Sequence, residues 1–241
     1  MSDNLQRKFA LDQELFDSVR LIKAGLGQVQ CISMGNDFYH LPLLTLASGF
    51  ERFMKVTLCF RIIDKTGDFP KTNDIPAGRK GHDLILLLEK IRDECFLQDY
   101  LNNVPVAPSD LDYLQSEELT SFLTILSNFG QSARYYNLDL IIGRNPSTQD
   151  PEHEWQNLET KITMSRPKLF NELRSTPSSE KLYEEINTEI VIRLERFARA
   201  ISRLYTIGRI GKEAKMHLGK IKDFLHLVDE NLGKNKYSTI G

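Results

Sequence analysis

Apolar side chains recur at spacings of three and four residues along most of the chain, which is the pattern of amphipathic helices. The first such stripe consists of Leu11, Leu15, Val19, Ile22 and Leu26. From residue 38 to about residue 65 the chain is apolar on nearly every side, which is typical of a central helix covered by several neighbours. Gly67 is expected to end this helix, and no segment shows the alternation of a strand. The pattern therefore predicts an all-α fold.

Local residue preferences predict the boundaries of the remaining helices. A third helix is expected over residues 81–95 and a last one over residues 212–232. A helix that begins at Glu152 has to pass Pro167. Capping residues are predicted to start the other helices, namely Ser109 with Asp112, Ser116, Asp150 before Pro151, and Thr176 before Pro177.

The length of 241 residues is enough to bury a sizeable core in one domain. Residues 144–150 are polar and contain Pro146, so they are the best candidate for an internal boundary. The segment is also short enough to connect two packed helices. We therefore predict a single helical domain over residues 1–241, a multi-helix bundle on which the C-terminal helices dock.

Three features predict a cytoplasmic protein with no membrane association. The first eight residues have no apolar run behind their charges, so no signal peptide is expected. No stretch reaches the roughly 20 apolar residues that a membrane helix needs. Cys31, Cys59 and Cys95 are odd in number and far apart, which fits a reducing compartment and predicts neither a disulfide framework nor a metal site. We expect them to be buried small hydrophobic side chains rather than reactive thiols.

The charge distribution singles out one helix. The net charge of −2 predicts no bulk attraction to nucleic acid, yet residues 190–222 are strongly basic. Arg196, Arg199 and Arg203 are spaced by three and four residues, so they share one helix face. This face predicts binding to a phosphate backbone or to an acidic partner protein. The alternative is a solvated face whose arginines pair with acids of the same region, such as Glu180, Glu184, Glu185 and Glu189.

A second cluster of polar and aromatic residues follows the apolar run that ends at Phe129. It contains Arg134, Tyr135, Tyr136, Asn137 and Asp139 within about two helical turns. In one interpretation Arg134 and Asn137 recognise a phosphate or a base edge while a tyrosine stacks on the base. In the other, the tyrosines pack with their hydroxyls bonded and Arg134 bonds Asp139 or the helix end.

The central helix carries a polar stripe on its otherwise apolar surface. Glu51 and Lys55 have the spacing of an ion pair within a helix. Arg52 needs a carboxylate from elsewhere, for instance Asp83 or Asp139, because an unpaired buried charge costs several kcal/mol. The stripe predicts structural ion pairs or, alternatively, the lining of a pocket.

The common catalytic signatures are missing from the sequence. It contains no HExxH, no glycine-rich phosphate loop between a strand and a helix, and no GxSxG. Its five histidines are scattered and do not form a metal-ligand pair. We therefore expect neither a metal nor a cofactor.

The segment Gly81-His82-Asp83-Leu84, which leads into Leu87-Leu88-Glu89 after an apolar helix and a loop, is similar to a pattern common in HEPN domains. The resemblance covers roughly residues 38–142 and implies an all-helical bundle with additional C-terminal helices. Catalytic members carry an arginine followed after four to six residues by a histidine. In those members the pair implies RNA cleavage without a metal, usually across a dimer interface. Arg134 lies at about the place expected for the arginine.

The chain departs from that motif where the histidine should follow. The corresponding positions hold Asp139, Leu140 and Ile141, so the obvious group for proton transfer is missing. The resemblance therefore implies a HEPN-like protein that binds RNA, a nucleotide or a protein partner without catalysis, in a prokaryotic stress or defence system such as a toxin–antitoxin pair. A homodimer is compatible with this implication.

Two alternatives from other classes remain open. The first is a divergent metal-independent ribonuclease of a toxin-like type, in which Arg134 acts with Tyr135, Tyr136 or His82. The second is a helical scaffold whose arginine face meets an acidic protein surface. Salt-dependent RNA affinity, loss of cleavage in Arg134→Ala, and a stable protein partner are the observations that distinguish them.

Overall fold

The structure is a computed structural model that describes residues 3–146, 149–175, 179–207 and 210–240. Within these residues the fold is all-α, as predicted, without strands. The helices of the described residues are α1 (Asp3–Gln30), α2 (His40–Thr66), α3 (Gly78–Gly81), α4 (Leu84–Cys95), α5 (Gln98–Asn103), α6 (Ala107–Leu114), α7 (Glu117–Gln131), α8 (Tyr136–Ile141), α9 (Pro151–Ser165), α10 (Pro167–Ser175), α11 (Glu180–Arg203), α12 (Lys212–Lys215) and α13 (Leu218–Leu225). Two short 3-10 helices span Ala133–Tyr135 and Asp229–Asn231.

The long helices α1 and α2 pack closely because each has a glycine at the contact, Gly25 on α1 and Gly49 on α2. A Cβ atom added to Gly49 would lie 2.9 Å from the backbone nitrogen of Ile22. Helix α2 is apolar on most sides, as the sequence predicted, and ends at Gly67. Gly67 adopts the left-handed conformation (φ 77°) and donates its N–H to the carbonyl of Ile63, which is the usual glycine cap.

Aromatic side chains join α2 to helices that lie far away along the chain. The ring of Phe50 lies 4.8 Å from that of Phe197 on α11. Tyr205 is fully buried and contacts the rings of both Phe53 and Phe60. Helices that follow residues 144–150 therefore pack on helices that precede them. The single-domain organisation stays a prediction.

Two of the predicted helix caps are confirmed. Ser116 accepts a hydrogen bond from the N–H of Leu119 at the start of α7, and Asp150 accepts one from Glu152 at the start of α9. The predicted start at Thr176 and Pro177 lies outside the described residues. Helix α11 is capped by Ser179, whose hydroxyl accepts from the backbone N–H of Leu182.

Several predicted boundaries are wrong. The helix predicted over residues 81–95 begins only at Leu84, because Asp83 caps it by accepting from the N–H groups of Ile85 and Leu86. The predicted cap at Ser109 does not form, since α6 begins at Ala107 with a proline in its first turn.

The two predicted helices near the C-terminal end are also divided. Pro167 starts α10 instead of being passed by α9, and Arg166 before it is extended (φ −116°, ψ 108°), as residues before proline tend to be. The helix predicted over residues 212–232 is divided into α12, α13 and a 3-10 turn. The chain turns at His217, whose ring packs on Phe60 and bonds the carboxylate of Asp12.

The three cysteines differ in burial, and Cys59 is intermediate, with a thiol pKa that burial raises to about 11. Cys95 is buried, and burial raises the pKa of its thiol to about 12, as expected for a structural side chain. Cys31 is exposed, which contradicts the prediction that all three are buried, because α1 ends just before it. In the described part of the chain, no helix combines the length and apolar character needed to span a membrane.

The C-terminal segment 233–240 binds back along α1 and α11. Fully buried Glu195 accepts hydrogen bonds from the backbone N–H of Gly233 and from the hydroxyl of Tyr237, each at 2.6 Å. Gln30 bonds the same segment through the N–H of Tyr237 and the carbonyl of Asn235. The segment thereby connects the C-terminal end of α1 to α11.

Candidate functional site: an arginine-lined pocket

The candidate site is a pocket of about 420 Å³ between α11, α6 and the 3-10 turn Asp229–Asn231. Helix α11 contributes Arg196, Arg199 and Arg203 to its wall. The three arginines meet there because their spacing of three and four residues places them on one face of the helix. The structure thus brings together three side chains that the sequence singled out as one binding face. We refer to this cavity as the arginine pocket.

Two of the three arginines form ion pairs across the pocket wall. Arg203 Nη1 donates to Asp110 Oδ1 on α6, and Arg199 Nη2 donates to Asp229 Oδ1, each at 2.6 Å. Arg199 also donates to the backbone carbonyl of Leu227 at 3.1 Å. These acids come from other parts of the fold and not from the glutamates at the start of α11. Among the described arginines of α11, only Arg193 pairs with one of those glutamates, Glu189, at 2.6 Å.

Arg196 is the third arginine, and its contacts differ from those of the other two. Its guanidinium lies 4.1 Å from the centre of the Tyr113 ring, a cation–π contact. Within the described residues it forms no ion pair, and its side chain is half-buried. An anionic ligand can therefore pair with Arg196 without first breaking an ion pair, which is not the case for Arg199 and Arg203.

A donor and an acceptor on the pocket wall lack protein partners. Arg199 Nε and Asp110 Oδ2 are both buried and make no hydrogen bond within the described residues. The exposed fraction of each residue is only 6%. A buried polar group without a partner costs about 1–3 kcal/mol. Both residues line the pocket, so its wall contains one donor and one acceptor that no described protein group satisfies.

The charge of the pocket wall is weakly positive, because two carboxylates neutralise part of the charge of the three arginines. Burial raises the pKa of Asp110, while the hydrogen bond from Arg203 and the charges of Arg199 and Arg196 oppose that rise. The hydrogen bond from Arg199 lowers the pKa of Asp229. With both carboxylates ionised, the three guanidinium groups leave a net charge of about +1 on the wall. This balance suits a small anionic ligand better than a long polyanion.

The predicted Arg134 cluster lies elsewhere, after the end of α7. Arg134 is in the 3-10 turn, where its guanidinium stacks 5.0 Å from the Tyr135 ring and its Nε is buried without a partner. The predicted bond to Asp139 does not form, and Asp139 instead lies 3.9 Å from Arg144. Tyr136 is half-buried and belongs, like the exposed Asn137, to α8, none of whose residues is buried.

His82 belongs to a third group of polar side chains, beside α2. Its Nδ1 lies 2.8 Å from Glu51 Oε2, and the other oxygen of Glu51 accepts from Lys55 at 2.7 Å. The predicted Glu51–Lys55 pair is thus confirmed. Arg52 pairs with Glu14 at 2.8 Å, so its predicted partners Asp83 and Asp139 are wrong. They are occupied, one as the cap of α4 and the other beside Arg144.

The site residues predicted from the sequence therefore lie in three separate places, namely the arginine pocket, the Arg134 cluster and the His82 group. No residue of the Arg134 cluster and no part of the His82 group lines the arginine pocket. Arg209, which belongs to the basic stretch 190–222, lies outside the described part of the chain. Among the described residues, no group of three histidine, cysteine or acidic side chains is placed to hold a metal ion.

The acids and the tyrosine that complete the pocket were not predicted from the sequence. Asp110 lies 93 residues before its partner Arg203, and Asp229 lies 30 residues after Arg199. Tyr113 follows Asp110 by one helical turn, so a correct start for α6 would have placed both on one face.

Comparison of the chain with family models, with curated proteins and with solved structures gave no match. The assignment of a function therefore depends on the geometry of the pocket and on the local motifs.

Proposed function

We propose that this chain is a HEPN-like helical protein that binds a phosphate-bearing ligand, a nucleotide or the end of an RNA, in the arginine pocket without cleaving it. The observation that carries the proposal is the convergence of three arginines on one pocket, one of which has no acidic partner among the described residues. The resemblance to HEPN domains is our reason for proposing a role in a prokaryotic stress or defence system.

The chemistry of the pocket supports a phosphate ligand. Guanidinium groups present several N–H donors in a planar fork that matches the oxygens of a phosphate. Arg196 supplies an uncompensated charge, and Arg199 supplies a buried donor without a partner. The volume falls within the range of about 300–1,000 Å³ that is usual for small-molecule sites.

Local geometry at the two HEPN-like motifs supports the family and the lack of catalysis. Asp83 of the His-Asp-Leu string caps α4, and Arg134 follows α7 at the expected place. Leu140 and Ile141, at two of the positions where a histidine is expected, are exposed apolar side chains. Nothing beside Arg134 in this turn offers an imidazole for proton transfer.

Titration calorimetry with adenosine monophosphate and with a 5′-phosphorylated RNA tests the proposal. Arg196→Ala is expected to weaken binding at least about tenfold, because it removes a charge-assisted hydrogen bond. Arg174→Ala is the matched control, since Arg174 also stacks on an aromatic ring but lies on α10, outside the pocket. Failure of the wild type to bind either ligand, or equal effects of the two variants, contradicts the proposal.

A second function, a divergent metal-independent ribonuclease, is favoured by the Glu51–His82 contact of 2.8 Å. A carboxylate that holds one ring nitrogen of a histidine leaves the other free for proton transfer. Ser127 on α7 donates to the backbone carbonyl of His82 at 3.4 Å, so this histidine lies beside the helix that leads to Arg134.

A denaturing gel of end-labelled RNA separates the two functions. Cleavage by the wild type that disappears in both Arg134→Ala and His82→Ala supports the ribonuclease. We expect no cleavage by the wild type or by either variant, with binding to the arginine pocket preserved.

The remaining proposals concern partners. Leu138, Leu140, Ile141 and Ile142 are each more than half exposed, which supports association of two copies of the chain through α8. A scaffold that meets an acidic surface through its arginine face has less support, since Arg199 and Arg203 already pair with carboxylates.

A further inference from the structure

We infer that the ligand of the arginine pocket is a phosphorylated ribose, and that Asp110 recognises a ribose hydroxyl beside the phosphate. The inference rests on the proposed function, because it concerns the same pocket. It adds a ligand class, ribonucleotides, and a residue that distinguishes them from other phosphates.

Asp110 is the part of the pocket that a simple anion site does not explain. A carboxylate repels a phosphate, so it weakens the binding of inorganic phosphate. One oxygen of Asp110 holds Arg203 at 2.6 Å, while the other has no partner although the residue is only 6% exposed. An ionised carboxylate only accepts hydrogen bonds. The missing partner is therefore a donor, and a ligand that carries one would satisfy this oxygen.

The position of the unpartnered oxygen indicates where the donor lies on the ligand. Asp110 pairs with Arg203, and the charges of Arg199 and Arg196 also act on its carboxylate, so we expect the donor and the anionic group of the ligand to be close neighbours. A ribose phosphate has this arrangement, with hydroxyl groups on the sugar that carries the phosphate. Carboxylates are known partners of ribose hydroxyls in dinucleotide sites, and the 2′-hydroxyl can act as a donor. Arg199 Nε supplies the complementary donor for a phosphate oxygen.

Calorimetric titration with three ligands tests the inference without changing the protein. The probes are methyl phosphate, adenosine 5′-monophosphate and its 2′,3′-dideoxy analogue, which keeps the base and the phosphate but has neither hydroxyl. We expect the dideoxy analogue to bind at least about tenfold more weakly than the ribonucleotide, which is the effect of one hydrogen bond to a charged group. Equal affinity of the two nucleotides overturns the inference.

The variant Asp110→Asn assigns the effect to this residue. We expect the preference for the ribonucleotide to fall to about twofold or less, while methyl phosphate binds as well as before or better, because a negative charge is gone. Asp112→Asn, an exposed aspartate on the same helix, is the matched control. A preference that survives in Asp110→Asn overturns the role of Asp110, and if this variant does not fold, the wild-type series still decides the ligand class.

The same titrations separate this inference from the proposed function. Binding of methyl phosphate that depends on Arg196, without any preference for the ribonucleotide, overturns the inference alone. Failure of all three phosphates to bind overturns both. An Asp110-dependent preference among bases instead of sugars, seen with dideoxynucleotides of different bases, assigns the free oxygen to a base N–H and also overturns the ribose assignment.

Discussion

Glu159 on α9 provides a test of how burial of a carboxylate affects the stability of the fold, because its side chain lies in the core. Its exposed fraction is 9%, and its two oxygens accept hydrogen bonds from Trp155 Nε1 at 2.9 Å and from the hydroxyl of Tyr39 at 3.3 Å. Burial raises the pKa of Glu159 from 4.5 to about 7, although both hydrogen bonds act to lower it. The variant Glu159→Gln has nearly the same shape and cannot ionise; its amide oxygen accepts from Trp155, and its NH2 group donates to the hydroxyl of Tyr39.

The raised pKa determines the sign and the size of the effect. The folded protein holds the proton more tightly than the unfolded chain, so this contribution to stability is complete below pH 4.5 and is lost as the pH rises to about 7. The pKa difference of about 2.5 corresponds to about 3 kcal/mol in the free energy of unfolding. Glu159→Gln is therefore expected to gain about 3 kcal/mol relative to the wild type between about pH 4 and about pH 8.

Urea denaturation at a series of pH values measures this difference directly. The difference between the two proteins isolates Glu159, because the other carboxyl groups titrate alike in both. Glu184→Gln, which changes an exposed glutamate on α11, is the control and should follow the wild type. Parallel stability curves for the wild type and Glu159→Gln would refute the reasoning that burial dominates at this site.

Three further predictions concern a cap, the C-terminal segment and the assembly. Ser116→Ala should lower the free energy of unfolding by about 1 kcal/mol in urea denaturation, because it removes the hydrogen bond to the N–H of Leu119; an unchanged midpoint contradicts that role. Gly27→Ala should release the C-terminal segment, seen as faster amide exchange over residues 233–240, because its Cβ would lie 2.6 Å from the carbonyl oxygen of Ser238. Ile141→Glu should convert a dimer to a monomer in light scattering, whereas the equally exposed Ile240→Glu should not; a wild type that is already monomeric rules out this interface.

The parts of the fold that depend on neighbouring residues could be predicted from the sequence. The caps at Ser116 and Asp150 and the glycine at the end of α2 act within a few residues, so local patterns were sufficient. The end of α9 before Pro167 could not be predicted, because a proline can either kink a helix or begin a new one, and packing decides between the two. His217 turns the last helices through contacts with Asp12 and Phe60, which no local pattern reports.

In the candidate site, too, the local features could be predicted from the sequence and the long-range contacts could not. The arginine face was visible because a helix repeats at a short spacing, and Arg196, Arg199 and Arg203 do line one pocket. Their acidic partners Asp110 and Asp229 come from distant parts of the chain, and no periodicity connects them to α11. The sequence therefore indicated the charge of the site but not how much of that charge is already neutralised.

The C-terminal segment also has a consequence for the order in which the fold closes. Helices α1 and α2 follow one another, so they can pair soon after both have left the ribosome, whereas the contacts of Gln30 with Asn235 and Tyr237 join residues more than 200 positions apart. Contacts of such long range form late, because a large loop must close first. Until residues 233–240 are made, Glu195 lacks both of the donors they supply, and this face of α11 is open to chaperones or to other chains. Once residues 233–240 are made, they therefore cover a polar surface of α11 that the preceding helices have already formed.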